Sequence, residues 1–123
     1  MADDVQIGTF AAMAAEDPYP GVRRRAFSSL NATVTTYSFE PGARFPIHSH
    51  PEEQVTLIEE GDVAFTAGDE VHELSAGAWS VVAGGVPHGI RAGEHGARIV
   101  AIVSPPRRSN DAYSVVGEQE DPA

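Results

Sequence analysis

The chain has 123 residues, a length that suits one domain with its own core. Eight Lys and Arg against 18 Asp and Glu give a formal net charge of −10, so the long-range field repels phosphate backbones and anionic headgroups, and neither nucleic acid nor a membrane surface is an expected partner. Cysteine is absent, which excludes disulfides and thiolate metal sites.

Twelve glycines and nine prolines are spread along the chain, the punctuation of many short strands, and the class is read as all-β. Met1-Ala2-Asp3-Asp4 is acidic and lacks the basic-then-apolar pattern of a signal peptide, and no apolar run approaches the roughly 20 residues that span a bilayer. A soluble, cytoplasmic protein is therefore expected. Phe10 to Ala15 is long enough for about one or two helical turns before Pro18 and Pro20 stop it, so residues 1–21 read as an N-terminal arm. Arg23, Arg24 and Arg25 sit among so much acid that they read as a solvated strand rather than a phosphate-binding patch.

From Val34 to Phe39, β-branched and aromatic residues predict a strand stopped by Pro41-Gly42. Val55 to Ile58 leads into Glu60-Gly61, and Val63 to Thr66 into Gly68-Asp69, each read as strand then tight turn. Val71 to Leu74 continues the meander, Ala76-Gly77 turns into Trp79 to Val82, and Gly93-Glu94-His95-Gly96 is read as another turn. Ile99 to Val103 is apolar on both faces and should be covered on both. Seven or eight such strands suggest a barrel or sandwich closed on itself, with its core over about residues 30–104. The chain leaves it at Pro105-Pro106, and residues 108–123 read as a flexible acidic tail. Val55 and Leu57 alternate outward and need cover, so a homodimer is expected, formed through that face or the arm.

The residues with most chemistry lie in His48-Ser49-His50-Pro51-Glu52-Glu53-Gln54, framed by Gly42 and Gly61. In an extended chain positions 48, 50 and 54 share one face, so two imidazoles and an amide oxygen can converge as metal ligands on one strand edge. A fourth ligand must come from elsewhere, and His88, at the end of Gly84-Gly85-Val86-Pro87-His88, is the best candidate. Imidazole suits zinc, nickel, iron, copper and manganese alike, so only a divalent metal is specified. His72, beside Glu73 in an amphipathic strand, and His95, in a glycine-bounded turn, read as surface residues. Arg44 shares parity with His48, and Tyr37 lies on the preceding strand; both are candidate contacts to a small-molecule substrate. An acidic protein offers an anionic ligand no long-range attraction, so its affinity would come from the metal and local arginines.

Gly42, His48, His50, Gln54 and Gly61, with Gly77 and the Gly84-to-His88 loop, resemble the two motifs of the cupin superfamily over roughly residues 30–104. The resemblance implies a single jelly-roll β-barrel domain over 1–123, with a divalent metal held by two histidines and a glutamate from the first motif and one histidine from the second. Here Gln54 replaces the glutamate and Ala83 a frequent proline. Three imidazoles and an amide leave the metal its full charge, which favours Lewis-acid chemistry on a carboxylated or enolisable molecule, by isomerisation, cyclisation or elimination. A dioxygenase of the quercetinase type, which uses the glutamate as a base, is the second reading. A non-catalytic ligand-binding or sensor module is the third. The His48-to-Gln54 segment together with Ser104-Pro105-Pro106-Arg107 is also similar to the small cupins of pectin and alginate breakdown, which open the ring of unsaturated uronic acids. That likeness implies Gln54 as a ligand and Arg107 beside a substrate carboxylate. It departs at Ala101, where those enzymes carry an acidic residue, and at Val103, where they carry an aromatic one.

Overall fold

The computed structural model describes residues 4–107 together with the backbone of a two-residue strand at Ser114–Val115; the rest of the expected acidic tail lies outside the described residues. Strands in chain order are β1 (Glu16–Tyr19), β2 (Val22–Ser28), β3 (Thr33–Phe39), β4 (Arg44–Ser49), β5 (Glu53–Ala67), β6 (Glu70–Ser75), β7 (Trp79–Val82), β8 (His88–Ser104) and β9 (Ser114–Val115). All pairings are antiparallel. Among the described residues no helix is long and apolar enough to cross a membrane.

Two long strands organise the barrel. The first half of β5 and the second half of β8 pair with each other, with β7 outside β5 and with β3, β2 and β1 outside β8. Their other halves also pair, now with β6 beside β5 and with β4 and β9 beside β8. The same two strands therefore run from one sheet into the other, which is the jelly-roll arrangement expected from the sequence.

The bend that allows this lies where the sequence suggested turns. At Gly61 and Gly96 the chain does not reverse; the register slips between Ile58 and Glu60 and again between Gly61 and Val63, and both strands continue. Gly61 has φ 81° and Gly96 φ 76°, and a Cβ on Gly61 would overlap the Gly96 carbonyl. A left-handed glycine serves a hairpin turn and a β-bulge equally well, so the residue types do not distinguish the two.

The N-terminal arm also differs from expectation. Its apolar run forms only a 3-10 turn, Phe10–Ala12, where the Ala12 N–H donates to Thr9 Oγ1 at 3.3 Å. Residues 16–19 are not arm but the outer strand of a sheet.

Inside, Phe65, Ile99, Val22 and Val63 are fully buried and pack with Phe39, Phe45, Ile58 and Ile90 at one end of the barrel. Ile99, Ala101 and Val103 face this interior at 2, 2 and 7% exposure, whereas Val100 and Ile102 on the opposite face are half-buried. The cover expected on both faces is thus complete on one. Toward the other end the row Ala26, Thr35, Ala101 and Thr56 holds small side chains in register across four strands, and Ala26 and Thr35 line a cavity there.

Candidate metal centre

His48 ends β4 and Gln54 begins β5, with His50 in the turn between, so the motif is not one strand edge but a bend that carries the chain from one sheet to the other. His88 opens β8 and pairs directly with His48. The loop before it is drawn against the turn: the Gly85 N–H donates to the His50 carbonyl at 2.8 Å, and any Cβ on Gly84 would overlap the Pro51 carbonyl. That contact brings the two motifs to one place.

All three imidazoles are held in the same tautomer. Each Nδ1 donates to a backbone carbonyl, His48 to Pro46 at 2.8 Å, His50 to Glu52 at 3.0 Å and His88 to Val86 at 2.9 Å. A carbonyl can only accept, so the hydrogen sits on Nδ1 and each Nε2 keeps its lone pair. Gln54 is oriented the same way: its Nε2 donates to Thr56 Oγ1 at 3.0 Å, turning Oε1 toward the rings, 3.1 Å from Nε2 of both His50 and His88.

Acceptors therefore face acceptors in a buried pocket. The side chains of His48, His50, Gln54 and His88 are 7, 4, 9 and 2% exposed. Protonation of His48 or His88 is disfavoured, because burial above all, with the potential of His88 next, holds the His48 imidazole down at about 3, and burial lowers His88 as well. Converging lone pairs with no proton between them form a site for a cation, and ligand nitrogens of the three histidines lie within 4.8 Å of one another. The residues present thus fit a divalent metal.

Beside them lies a cavity of about 310 Å³, lined by His48, His50 and Gln54 and by polar groups from β1, β2 and β3 as well as Arg107. Phe45 forms its apolar wall, with ring centroids 4.8 Å from Tyr19, 5.7 Å from Tyr37 and 4.8 Å from His48.

The sequence of residues 35–103, more than half of the chain, matches the family described as Cupin domain. The chain belongs to the cupin family. Solved structures agree on the fold. An RmlC-like cupin from Shewanella frigidimarina is 23% identical, with a TM-score of 0.78 over 85% of this chain and 94% of that one. KdgF from a Halomonas species is 24% identical, with a TM-score of 0.74 over 85% and 98%. Oxalate decarboxylase from Bacillus subtilis is 21% identical with a TM-score of 0.80, and this cupin spans 31% of its length. No curated protein matches the sequence.

The substrate contacts expected from the sequence divide. Tyr37 and Arg107 line the cavity of this cupin, but Arg44 does not reach it. The register slips between Phe45 and His48, so Phe45 takes the inward parity and Arg44 lies on the other face of β4, opposite Arg91. Burial is the main influence on Tyr37 and pushes its pKa up, which keeps the phenol protonated.

Two further residues, Arg24 and Glu16, line the cavity without having been singled out, and a third, Glu52, stands beside His50 and Arg107. Arg24 points inward between Val22 and Ala26, while Arg23 and Arg25 point outward; Arg23 pairs with Asp17 at 2.8 Å, and Arg25 Nε donates to the Met13 carbonyl at 3.2 Å. Parity was the available signal, since Val22 and Ala26 flank Arg24 at two-residue spacing. Glu16, on the edge strand, accepts from Arg24 Nε at 2.9 Å. Glu52 places Oε1 3.3 Å from His50 Nδ1 and 3.6 Å from Arg107. His72 and His95 stay at the surface, 3.2 Å from Glu70 and 3.7 Å from Glu94.

Proposed function

We propose that this cupin is a metalloenzyme in which His48, His50, Gln54 and His88 hold a divalent ion and the adjoining cavity takes a small carboxylated or enolisable substrate for isomerisation, cyclisation or elimination. The observation that carries the reading is the meeting of histidine Nε2 atoms, whose Nδ1 partners are committed to carbonyls, with the Gln54 oxygen at the wall of an open cavity that also holds arginines and a tyrosine. The ion would supply Lewis acidity toward a substrate oxygen, undiminished by any anionic ligand. The chain's own groups do the rest. Tyr37 remains a phenol and can donate, Arg107 and Arg24 offer fixed positive charge, and Phe45 keeps water from one side of His48.

A metal that merely stapled the fold would need no such cavity, and the arginines within it favour a bound anion over that reading. Ala101, deep in the row of small residues, supplies space where the uronate ring-opening cupins carry an acid, so the substrate class is drawn from the cavity and not from that resemblance.

Replacing His48 or His88 by Ala should remove most bound metal, measured as metal per chain after loading and desalting, while His72→Ala and His95→Ala retain it. Full occupancy after His88→Ala would refute the four-ligand set. Oxygen consumption with a flavonol, if seen, would instead select the dioxygenase reading.

The protein is further proposed to act as a homodimer through the outer face of the larger sheet. Phe27, Val34, Ile102, Val55 and Val81 form one row across β2, β3, β8, β5 and β7, and Val100, Leu57 and Trp79 extend the next. Trp79 is 67% and Val81 54% exposed. The second row ends in Arg25 on β2, and the apolar positions from β3 to β7 give two copies a shared surface on which to stack.

A further inference from the structure

We propose that Arg24 and Tyr37 form a carboxylate-binding subsite in the cavity and that Glu16 fills it as a tethered stand-in, displaced when a ligand carboxylate enters. The inference rests on the reading of this cavity as the substrate site.

Glu16 pairs with Arg24 across β1 and β2, and Arg24 pairs with Tyr37 across β2 and β3. Directly opposed residues project from the same face of a sheet, so the three form one transverse row on the inner wall, and all three line the cavity. The row lies four residues along β5 and β8 from the one that contains Gln54, since Tyr37 pairs with Ile99 and Ile99 with Ile58, while Gln54 pairs with Val103. His48, His50 and Gln54 line the same cavity, so a ligand held by Arg24 occupies the space those side chains border.

The arrangement is built for a planar anion. Arg24 Nε already donates to Glu16 Oε1 at 2.9 Å, and Tyr37, directly opposite on β3, lies close enough for its phenol and the guanidinium to influence each other. A guanidinium can only donate and a protonated phenol can donate its own O–H, so both side chains can turn donors toward one acceptor in the cavity. A carboxylate placed there would receive donors from both residues.

Glu16 meets the requirements of a removable occupant. Its side chain is 70% exposed against 29% for Arg24, so the carboxylate can swing to water while the arginine stays in the wall. An ion pair so exposed contributes little to stability, and exchanging one carboxylate for another leaves Arg24 equally satisfied. The tether raises the local concentration of the internal anion, and a free ligand must compete with it.

The test uses malonate as probe, titrated by calorimetry into the full chain in metal-free and zinc-loaded forms. Glu16→Gln removes the competitor and should tighten malonate binding about 3- to 10-fold in both forms. Arg24→Gln should weaken it about 10-fold or more, Tyr37→Phe by a smaller factor, and Arg24→Lys should not restore it, because an ammonium lacks the planar fork. If zinc fails to bind and this order persists in the metal-free protein, the metal reading falls and the subsite stands. Unchanged malonate affinity in metal-free Glu16→Gln overturns the subsite, whatever Arg24→Gln does to folding; so does a Glu16→Gln effect confined to the zinc-loaded form.

Discussion

Gln54 Oε1 faces two imidazole nitrogens at 3.1 Å while its amide nitrogen is committed to Thr56. The residue thus presents a neutral oxygen, and an ion held there keeps the charge that a glutamate would partly cancel. Burial of the histidines around it sets the behaviour of the metal-free protein toward acid. His48 has its folded value lowered to about 3 from 6.5, by burial first and by the neighbouring His88 next, and His88 is lowered too. An unfolded chain takes up these protons from about pH 6.5 downward and the folded chain does not, so the unfolded state binds more protons and stability rises with pH through this window. Chelator-treated protein should therefore lose stability as pH falls from about 6.5 toward 3, by an amount on the order of a few kcal/mol, and His48→Ala should flatten the slope. Urea midpoints at several pH values read it out; an identical slope in His48→Ala would show that the ring is not the cause. At this scale the four candidate ligands were legible because their spacing has few other uses. Arg24 was not, since three successive arginines read as one charged run until the strand's alternation is applied to each. Arg44 misled for the reverse reason, because the bulge after Phe45 shifts the parity on which its placement depended.

Elements place these residues through close backbone approach. The loop that delivers His88 lies against the turn that carries His50, and the hydrogen of a glycine is all that fits between Gly84 and the Pro51 carbonyl. Gly84→Val should therefore cost about 2–4 kcal/mol and lower metal occupancy together, because the displaced loop moves His88 away from His48. Gly68→Ala is the control. Its φ is 59°, but nothing lies within 4 Å of the added carbon, so it should cost about 1 kcal/mol and leave occupancy intact. Chemical denaturation and metal stoichiometry on the two variants separate the effects, and equal occupancy would sink the coupling between loop and site. Strand positions were legible from β-branched runs and periodicity, but strand length was not. Gly61 and Gly96 resemble turn residues in any local window, and only their contact with each other across β5 and β8 shows that the strands run on.

At the scale of the whole molecule, one face remains unsatisfied. The larger sheet buries Ile99, Ala101 and Val103 inside and leaves Val55, Leu57, Trp79 and Val81 on the outside, with Phe27 at 47% exposure capped on one side by Phe10, 5.8 Å away. Outward Val55 and Leu57 were evident from alternation alone, whereas the breadth of the patch depends on long-range pairings such as Val34 with Ile102, which no local window contains. Its rows of exposed apolar side chains suit a two-fold contact, in which each copy supplies the same rows while Arg25 and the Arg98–Glu60 pair, at 3.6 Å, lie beside them. Leu57→Glu and Trp79→Glu each put a carboxylate where a second copy would bring its twin, so desolvation and like-charge repulsion act together against association. Light scattering at micromolar concentration should give twice the chain mass for the parent protein and the single mass for either variant. Metal stoichiometry should stay unchanged, because neither side chain faces the interior. A parent protein that scatters as a single chain would leave this face without its partner and remove the homodimer, while the metal centre, built from residues of one chain, would be untouched.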